Sequence, residues 1–302
     1  MPLSPANRKL STVHLASLAV VIGGAFWGVF WVPVRAFEGL GLTGAWPGLV
    51  VYVMALVFIL PFALRQTLSK SAFIPLAIAG LLTGTAFTFY GTAIVLTDVL
   101  RALLFFYLTP VWGTAIGVLF LSEKLTRARV LAVLLALSGL CAVVGFGHQS
   151  ALNLGDVFAL TSGMFWAVGS YKVYKLRQTP TVHLSVAFLV GSIVVTLALV
   201  VFAQGLLGPM PDFPSWQVLW PYALLSGLFA VPMIMLTMWP ASILTPGRIG
   251  ILLMSEIVVG ITSAALFAGE AIGPFEMLGT VLIVSAALVE VLGNRDEDPG
   301  ES

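Results

Sequence analysis

Glu256 is the only carboxylate that lies well inside an apolar run, seven residues beyond Ile249. At the rise of an α-helix that is roughly 10 Å into the segment. An ionised group there is costly, so such residues usually face a cavity or find a hydrogen-bonding partner. Three chemistries fit: a polar contact for a substrate amine, proton exchange, or a structural carboxyl held near Ser255 and Thr262. Trp27 and Trp166 are the second feature. Both stand deep in apolar runs, about 18 Å from the start of a helix, whereas tryptophan normally gathers at membrane interfaces. Each indole N–H there needs a partner from protein or trapped water. The two either line a cavity or pack the core, and Phe26, Phe89, Tyr90, Tyr107 and Trp112 extend the same choice. A cavity of this kind would hold aromatic or cationic solutes by apolar and cation–π contacts. No Gly-x-Ser-x-Gly, His-Glu-x-x-His or phosphate-binding glycine loop occurs, which disfavours a membrane enzyme. His14, His148 and His183 have no metal-ligand spacing, and Cys141 stands alone, so no metal or other cofactor is expected.

The elements that carry these residues are membrane spans. Of 302 residues, 59% are hydrophobic and 9% charged, against about 25% charged in soluble domains. With a net charge of +1, the chain has no basic surface for nucleic acid. A span needs about 20 mostly apolar residues. Ten are predicted, over 15–34, 48–64, 73–96, 99–121, 128–147, 154–173, 183–203, 218–239, 249–268 and 277–293. The third and fourth are separated only by a tight turn at Thr97-Asp98. With both termini on one side, that side holds 12 of the 14 Lys and Arg residues, and the other holds only Arg35 and Arg101. Such enrichment marks the cytoplasmic face, which places both ends inside.

The chain also repeats itself. Gly24-Ala25-Phe26-Trp27-Gly28-Val29 returns as Gly163-Met164-Phe165-Trp166-Ala167-Val168, and Arg101 to Val144 overlays Arg248 to Val291. Five spans is an odd number, so the copies are inverted about a pseudo-two-fold axis in the membrane plane. The predicted fold is all-α and multi-pass: ten helices as two inverted five-helix repeats around a central cavity. The first repeat covers 1–147, a linker 148–153, the second repeat 154–293 and a polar cytoplasmic tail 294–302.

Gly24-x3-Gly28, Gly80-x3-Gly84 and Gly113-x3-Gly117 form flat stripes for close helix packing, either static or sliding. Pro110, Pro232 and Pro240 each remove a backbone hydrogen bond and are expected to kink or interrupt their helices, as permanent bends or as gates. Asp98 and Arg101, three residues apart at a helix start, are positioned to pair.

Together, the Gly-x-Phe-Trp-Gly motif at 24–28, the Thr109-Pro110 step and Phe120-Leu121-Ser122-Glu123-Lys124-Leu125 resemble the drug/metabolite transporter superfamily in its EamA-type branch. Within it the chain is similar to the YddG-type exporters of aromatic amino acids. The resemblance implies a bacterial inner-membrane secondary transporter, working by alternating access as a monomer or homodimer among membrane lipids. It implies export of aromatic and other neutral amino acids, with organic cations such as viologens as further substrates. It carries Trp27, Tyr90, Trp112 and Trp166 over as cavity residues. The second copy departs from the pattern, since Pro110 aligns with Ile257 and Lys124 with Ala271. A proton-coupled multidrug or metabolite carrier of the same superfamily is the main alternative. A channel is less expected.

Overall fold

The computed structural model describes residues 5–108, 111–112, 125–146, 152–207, 210–244, 249–250, 252–269 and 272–293. Their regular elements are all helical. The main ones are α1 (Pro5–Gly28), α2 (Trp31–Gly39), α3 (Trp46–Ala63), α4 (Phe73–Leu96), α5 (Val99–Phe106), α6 (Arg127–Phe146), α7 (Leu154–Lys175), α8 (Thr181–Phe202), α9 (Trp216–Ala241), α10 (Ser255–Ser263) and α11 (Pro274–Gly293). Helix is the outcome physical chemistry requires here, because in hydrocarbon each backbone N–H must find its acceptor within the same segment.

Five stretches are long and apolar enough to cross a membrane: Thr12–Gly39, Trp46–Ala63, Lys70–Leu96, Thr181–Phe202 and Trp216–Ala241. Shorter apolar helices occur at Val130–Ala142, Ser255–Ala268 and Met277–Ala286. The distribution of side chains fits this solvent. Val57, Phe62, Val201, Leu225 and Val258 face outward, while Thr83, Thr88, Thr92, Thr196 and Thr237 are buried between helices. The chain is a multi-pass membrane protein that is apolar outside and carries its hydroxyls inside.

The first span is broken where the repeated motif ends. α1 stops at Gly28, and α2 restarts at Trp31 after Val29-Phe30. Pro33 has no N–H, so the Val29 carbonyl loses its usual partner four residues on. Val32 N–H serves that carbonyl instead at 3.0 Å, and Phe30 N–H donates to the Trp27 carbonyl at 2.9 Å. The break is tied to α10, where Trp31 Nε1 donates to Ser263 Oγ at 2.9 Å and Ser263 Oγ donates to the Gly28 carbonyl at 3.3 Å. α10 then passes into a π-helical stretch, Ala264–Ala268, that ends on Gly269 in the left-handed region at φ 69°.

One expectation is corrected here. α9 runs as one helix through Pro232 and as far as Pro240, one residue before its end at Ala241, so of the kink or interruption expected at these prolines, the interruption does not occur. The missing ladder bonds are absorbed by a helix that neighbours hold on both sides. Asp98 is not the carboxylate that pairs with Arg101. Asp156, at the start of α7, takes that role. Pro110 lies outside the described residues.

Packing follows the small residues. α4 lies against α7 and α8, α1 against α9 and α10, α3 against α8 and α9, α5 against α7, and α6 against α11. Gly80 and Gly84 bring α4 onto Ala187, Gly191 and Ser192 of α8 so closely that a Cβ at either glycine would strike backbone. Gly28 meets α10 in the same way: a Cβ there would sit 2.8 Å from the Glu256 carbonyl and the Gly260 nitrogen. Interhelical hydrogen bonds such as Thr88 Oγ1 to the Ser192 carbonyl, 3.1 Å, average only about 0.6 kcal/mol in membranes. Close backbone approach therefore contributes more to holding α4 on α8. Gly84→Leu should destabilise the purified chain by about 1–3 kcal/mol, read as a lower unfolding midpoint in detergent. Ile78→Leu, on the outward face of the same helix, should leave that midpoint unchanged.

Candidate functional site

Phe87 of α4 stands where the two repeated tryptophans meet. Trp27 from α1 stacks on its ring at 4.0 Å between centroids and 26° between planes. Trp166 from α7 meets the same ring edge-on at 5.1 Å and 74°. Phe188 of α8 lies 5.4 Å away and Phe106 of α5 6.1 Å away. Four helices thus place an aromatic side chain against one ring carried by a fifth. Trp27, Phe87 and Tyr90 are 1% exposed, so the space expected between them as a cavity is filled by the rings themselves in this conformation. The Trp27 indole N–H finds its partner in Thr237 Oγ1 of α9 at 2.9 Å, and Thr237 in turn donates to the Met233 carbonyl.

Helix geometry decides which predicted aromatics reach this centre. Residues three apart share a face, whereas residues two apart do not. Phe87 and Tyr90 therefore point together, with rings 6.3 Å apart at 90°. Phe89 points elsewhere and packs against Phe158 and Phe165 of α7 at 4.9 and 5.8 Å. Phe26, next to Trp27, packs on Phe229 of α9 at 5.4 Å. Trp112 is half-buried, and its Nε1 has no hydrogen bond among the described residues. Phe87 itself escaped the sequence reading. The signal was its spacing from Tyr90.

Glu256 joins the centre from α10. It is 1% exposed, and its Oε2 lies 2.7 Å from the Tyr107 hydroxyl. The Tyr90 hydroxyl also approaches this carboxyl, while Oε1 accepts no hydrogen bond among the described residues. Tyr107 is linked to the aromatic group through Phe106, its ring 5.1 Å away at 88°. Of the predicted site residues, Trp27, Tyr90, Tyr107, Trp166 and Glu256 are brought together. Phe26 and Phe89 pack at helix interfaces beside the centre.

A second polar cluster caps the bundle at the turn between α4 and α5. Arg101 Nε donates to Asp156 Oδ1 at 3.0 Å, and its Nη2 donates to Oδ2. Thr97 Oγ1 donates to the same Oδ1 at 3.2 Å. Asp156 also closes a capping box with Asn153, each accepting from the other's backbone N–H at 3.0 Å. The Asn153 amide donates to Thr97 Oγ1 at 2.9 Å. Arg35 of α2, paired to Glu38 at 2.8 Å, donates to the Thr97 carbonyl at 3.2 Å. One turn is thereby pinned to α2, α5 and α7.

Away from both clusters, an open cleft of roughly 530 Å³ lies between Thr67–Ala72 and Gln178–Pro180. Its lining is mostly hydroxyls and one amide, with no titratable side chain. Among the described residues no group of three or more His, Cys, Asp or Glu is placed to hold a metal.

Comparisons with known proteins agree with this architecture. Residues 14–145 match the EamA-like transporter family. An uncharacterized transporter in the sor 3′ region of Acidianus ambivalens is 25% identical over 140 residues, 46% of this chain and 53% of that protein. The chain thus spans about half the length of the curated relative it matches. A solved crystal structure, described only as that of a protein, superposes with a TM-score of 0.61 at 16% identity. That match covers 92% of this chain and 98% of the other, and it speaks for the fold alone.

Proposed function

We propose that this chain is a secondary transporter of the drug/metabolite transporter superfamily that exports amino acids, aromatic and other neutral ones, across the bacterial inner membrane. The observation that carries the reading is the convergence of Trp27 and Trp166, the paired residues of the repeat, on Phe87. The match of residues 14–145 to a transporter family supports it. So does the apolar exterior around a centre of aromatic rings and one carboxyl.

The helix pairings support two inverted five-span repeats, 1–147 and 154–293. α1 packs on α9 and α10 of the other half, and α7, its counterpart, packs on α4 and α5. The last helices of the halves, α6 and α11, pack on each other. This pattern is unchanged when the halves are exchanged, as a pseudo-two-fold axis requires. Both termini are cytoplasmic in this reading, so the Arg101–Asp156 cluster closes the external end. The filled aromatic centre is the closed form, and transport opens it to one side at a time.

The YddG-type resemblance favours aromatic amino acids, and the ring cluster fits them. An aromatic solute would replace ring–ring contacts with its own, while Glu256 and Tyr107 meet its amino group. The experiment is uptake of labelled phenylalanine, tyrosine and leucine into proteoliposomes. Trp166→Ala should lower the rate per folded molecule at least several-fold; because Trp166 is buried against Phe87, the variant should also lose about 3–5 kcal/mol of stability, so the rates are compared at matched folded protein. Unchanged transport by that variant would remove Trp166 from the pathway.

A further inference from the structure

We propose that Glu256 carries a proton in this closed form and exchanges it for the ammonium group of an aromatic amine, so that transport is proton-coupled. The inference rests on the transporter reading and names the chemistry of its central site.

Proton counting carries it. The Tyr107 hydroxyl lies 2.7 Å from the Leu253 carbonyl and 2.7 Å from Glu256 Oε2. A phenol has one proton to donate. At 2.7 Å two oxygens need a hydrogen between them. Both contacts are satisfied when Tyr107 donates to Leu253 and the Glu256 carboxyl donates to Tyr107. An ionised Glu256 leaves one of the two contacts without a proton. Donation from Tyr90 does not alter the count, because the Tyr107–Glu256 pair still lacks its hydrogen.

The surroundings agree. Among the described residues, Tyr107, just beyond α5, and Tyr90 of α4 are the titratable side chains that face Glu256, and Tyr52 of α3 stands near Tyr90. α1 brings Gly24 and Gly28, which have no side chain to offer. Among the described residues no lysine, arginine or histidine forms an ion pair with Glu256. A buried carboxylate without a cation is expensive, and the usual remedy is to keep its proton. The free Oε1 is then a carbonyl oxygen rather than half of an anion.

The exchange balances. A protonated amine reaches Glu256, the carboxyl O–H breaks, and the proton passes to water on the side from which the amine came. The ammonium takes its place on the carboxylate, and Tyr107 turns its hydroxyl to Oε2. On the other side a proton returns to the carboxyl and the amine leaves. Phe106, with its ring 5.1 Å from both Tyr90 and Tyr107, supplies the surface for the amine's own ring. A monovalent amine is thus exchanged electroneutrally. A zwitterionic amino acid would move with one net positive charge in the opposite direction.

Infrared difference spectroscopy on the full chain in liposomes at neutral pH tests this, with 2-phenylethylamine as the cation and 2-phenylethanol as its uncharged match. The carbonyl stretch of a protonated carboxylic acid should be present, and Glu256→Gln should abolish it. That substitution mimics the protonated form, so the fold should hold. 2-Phenylethylamine should bleach the band and release one proton per molecule bound, and the alcohol should do neither. Glu256→Asp should keep both signals. If no such band is lost in Glu256→Gln, or if the amine leaves it in place, the inference is overturned. Amino-acid uptake by the same liposomes separates the failures: uptake without the band sinks only the proton exchange, whereas no uptake sinks the transporter reading itself.

Discussion

Asp156→Ala is expected to lower the stability of the folded chain by about 3–5 kcal/mol. The carboxylate is fully buried and takes both donors of the Arg101 fork together with Thr97 and the Asn153 backbone. Truncating it leaves a guanidinium, 5% exposed, without the anion that made its burial tolerable. The same change removes half of the capping box that starts α7, which alone is worth about 1 kcal/mol. The charge is the larger part. Two further variants separate the contributions. Asp156→Asn keeps most hydrogen-bonding shape but not the charge, and it should recover little. Replacing Arg101 and Asp156 together by Met and Leu should recover most of the loss, since a buried pair and well-packed apolar residues are close in energy. Unfolding midpoints of the parent and the three variants in one detergent decide the matter. If Asp156→Asn were as stable as the parent, the pair would not be holding the turn.

Phe87→Ala is the second large effect, at about 3–5 kcal/mol. The ring touches side chains from five helices, and no neighbour can relax into the space without leaving another contact. Its backbone is fixed as well, because the Tyr52 hydroxyl donates to the Phe87 carbonyl at 2.7 Å. The hole would form between Trp27 and Trp166, in the proposed pathway, so transport should fall together with stability. Phe87→Leu keeps much of the volume and should cost less than about 1.5 kcal/mol. It would still lack the flat face on which Trp27 stacks. A Leu variant that folds well yet transports poorly would place the ring in the mechanism as well as the core. Equal transport by both would restrict Phe87 to packing.

Apolar run lengths located α4 at its observed bounds and the tight turn at Thr97-Asp98. Glycines at four-residue spacing mark faces for close packing on α1 and α4, because a missing Cβ is visible in one dimension, while the partners α10 and α8 emerge only in the fold. The internal repeat put Trp27 and Trp166 at one place. What stayed hidden depended on the docking of distant segments. Arg101 has an acidic neighbour three residues away, yet its partner lies 55 residues on, brought there only when α7 packs against α5. The sequence points to Phe89 and passes over Phe87, because the helix phase is set only when Gly80 and Gly84 meet α8. Pro232 and Pro240 lie in a helix that continues through them. The break that forms follows from Pro33 and the Val29 carbonyl, at the end of the repeated motif.

What matters most is whether solute crosses this protein at the Trp27–Phe87–Trp166 centre by an alternating, saturable cycle. Counterflow decides it. Proteoliposomes are loaded with unlabelled phenylalanine, and entry of labelled phenylalanine is followed with and without that load. The expected result is transient accumulation above equilibrium in loaded vesicles, saturation with external substrate, and loss of both in Phe87→Ala at matched folded protein. Entry that neither saturates nor responds to the internal load, accompanied by unitary currents in a planar bilayer, would contradict such a cycle.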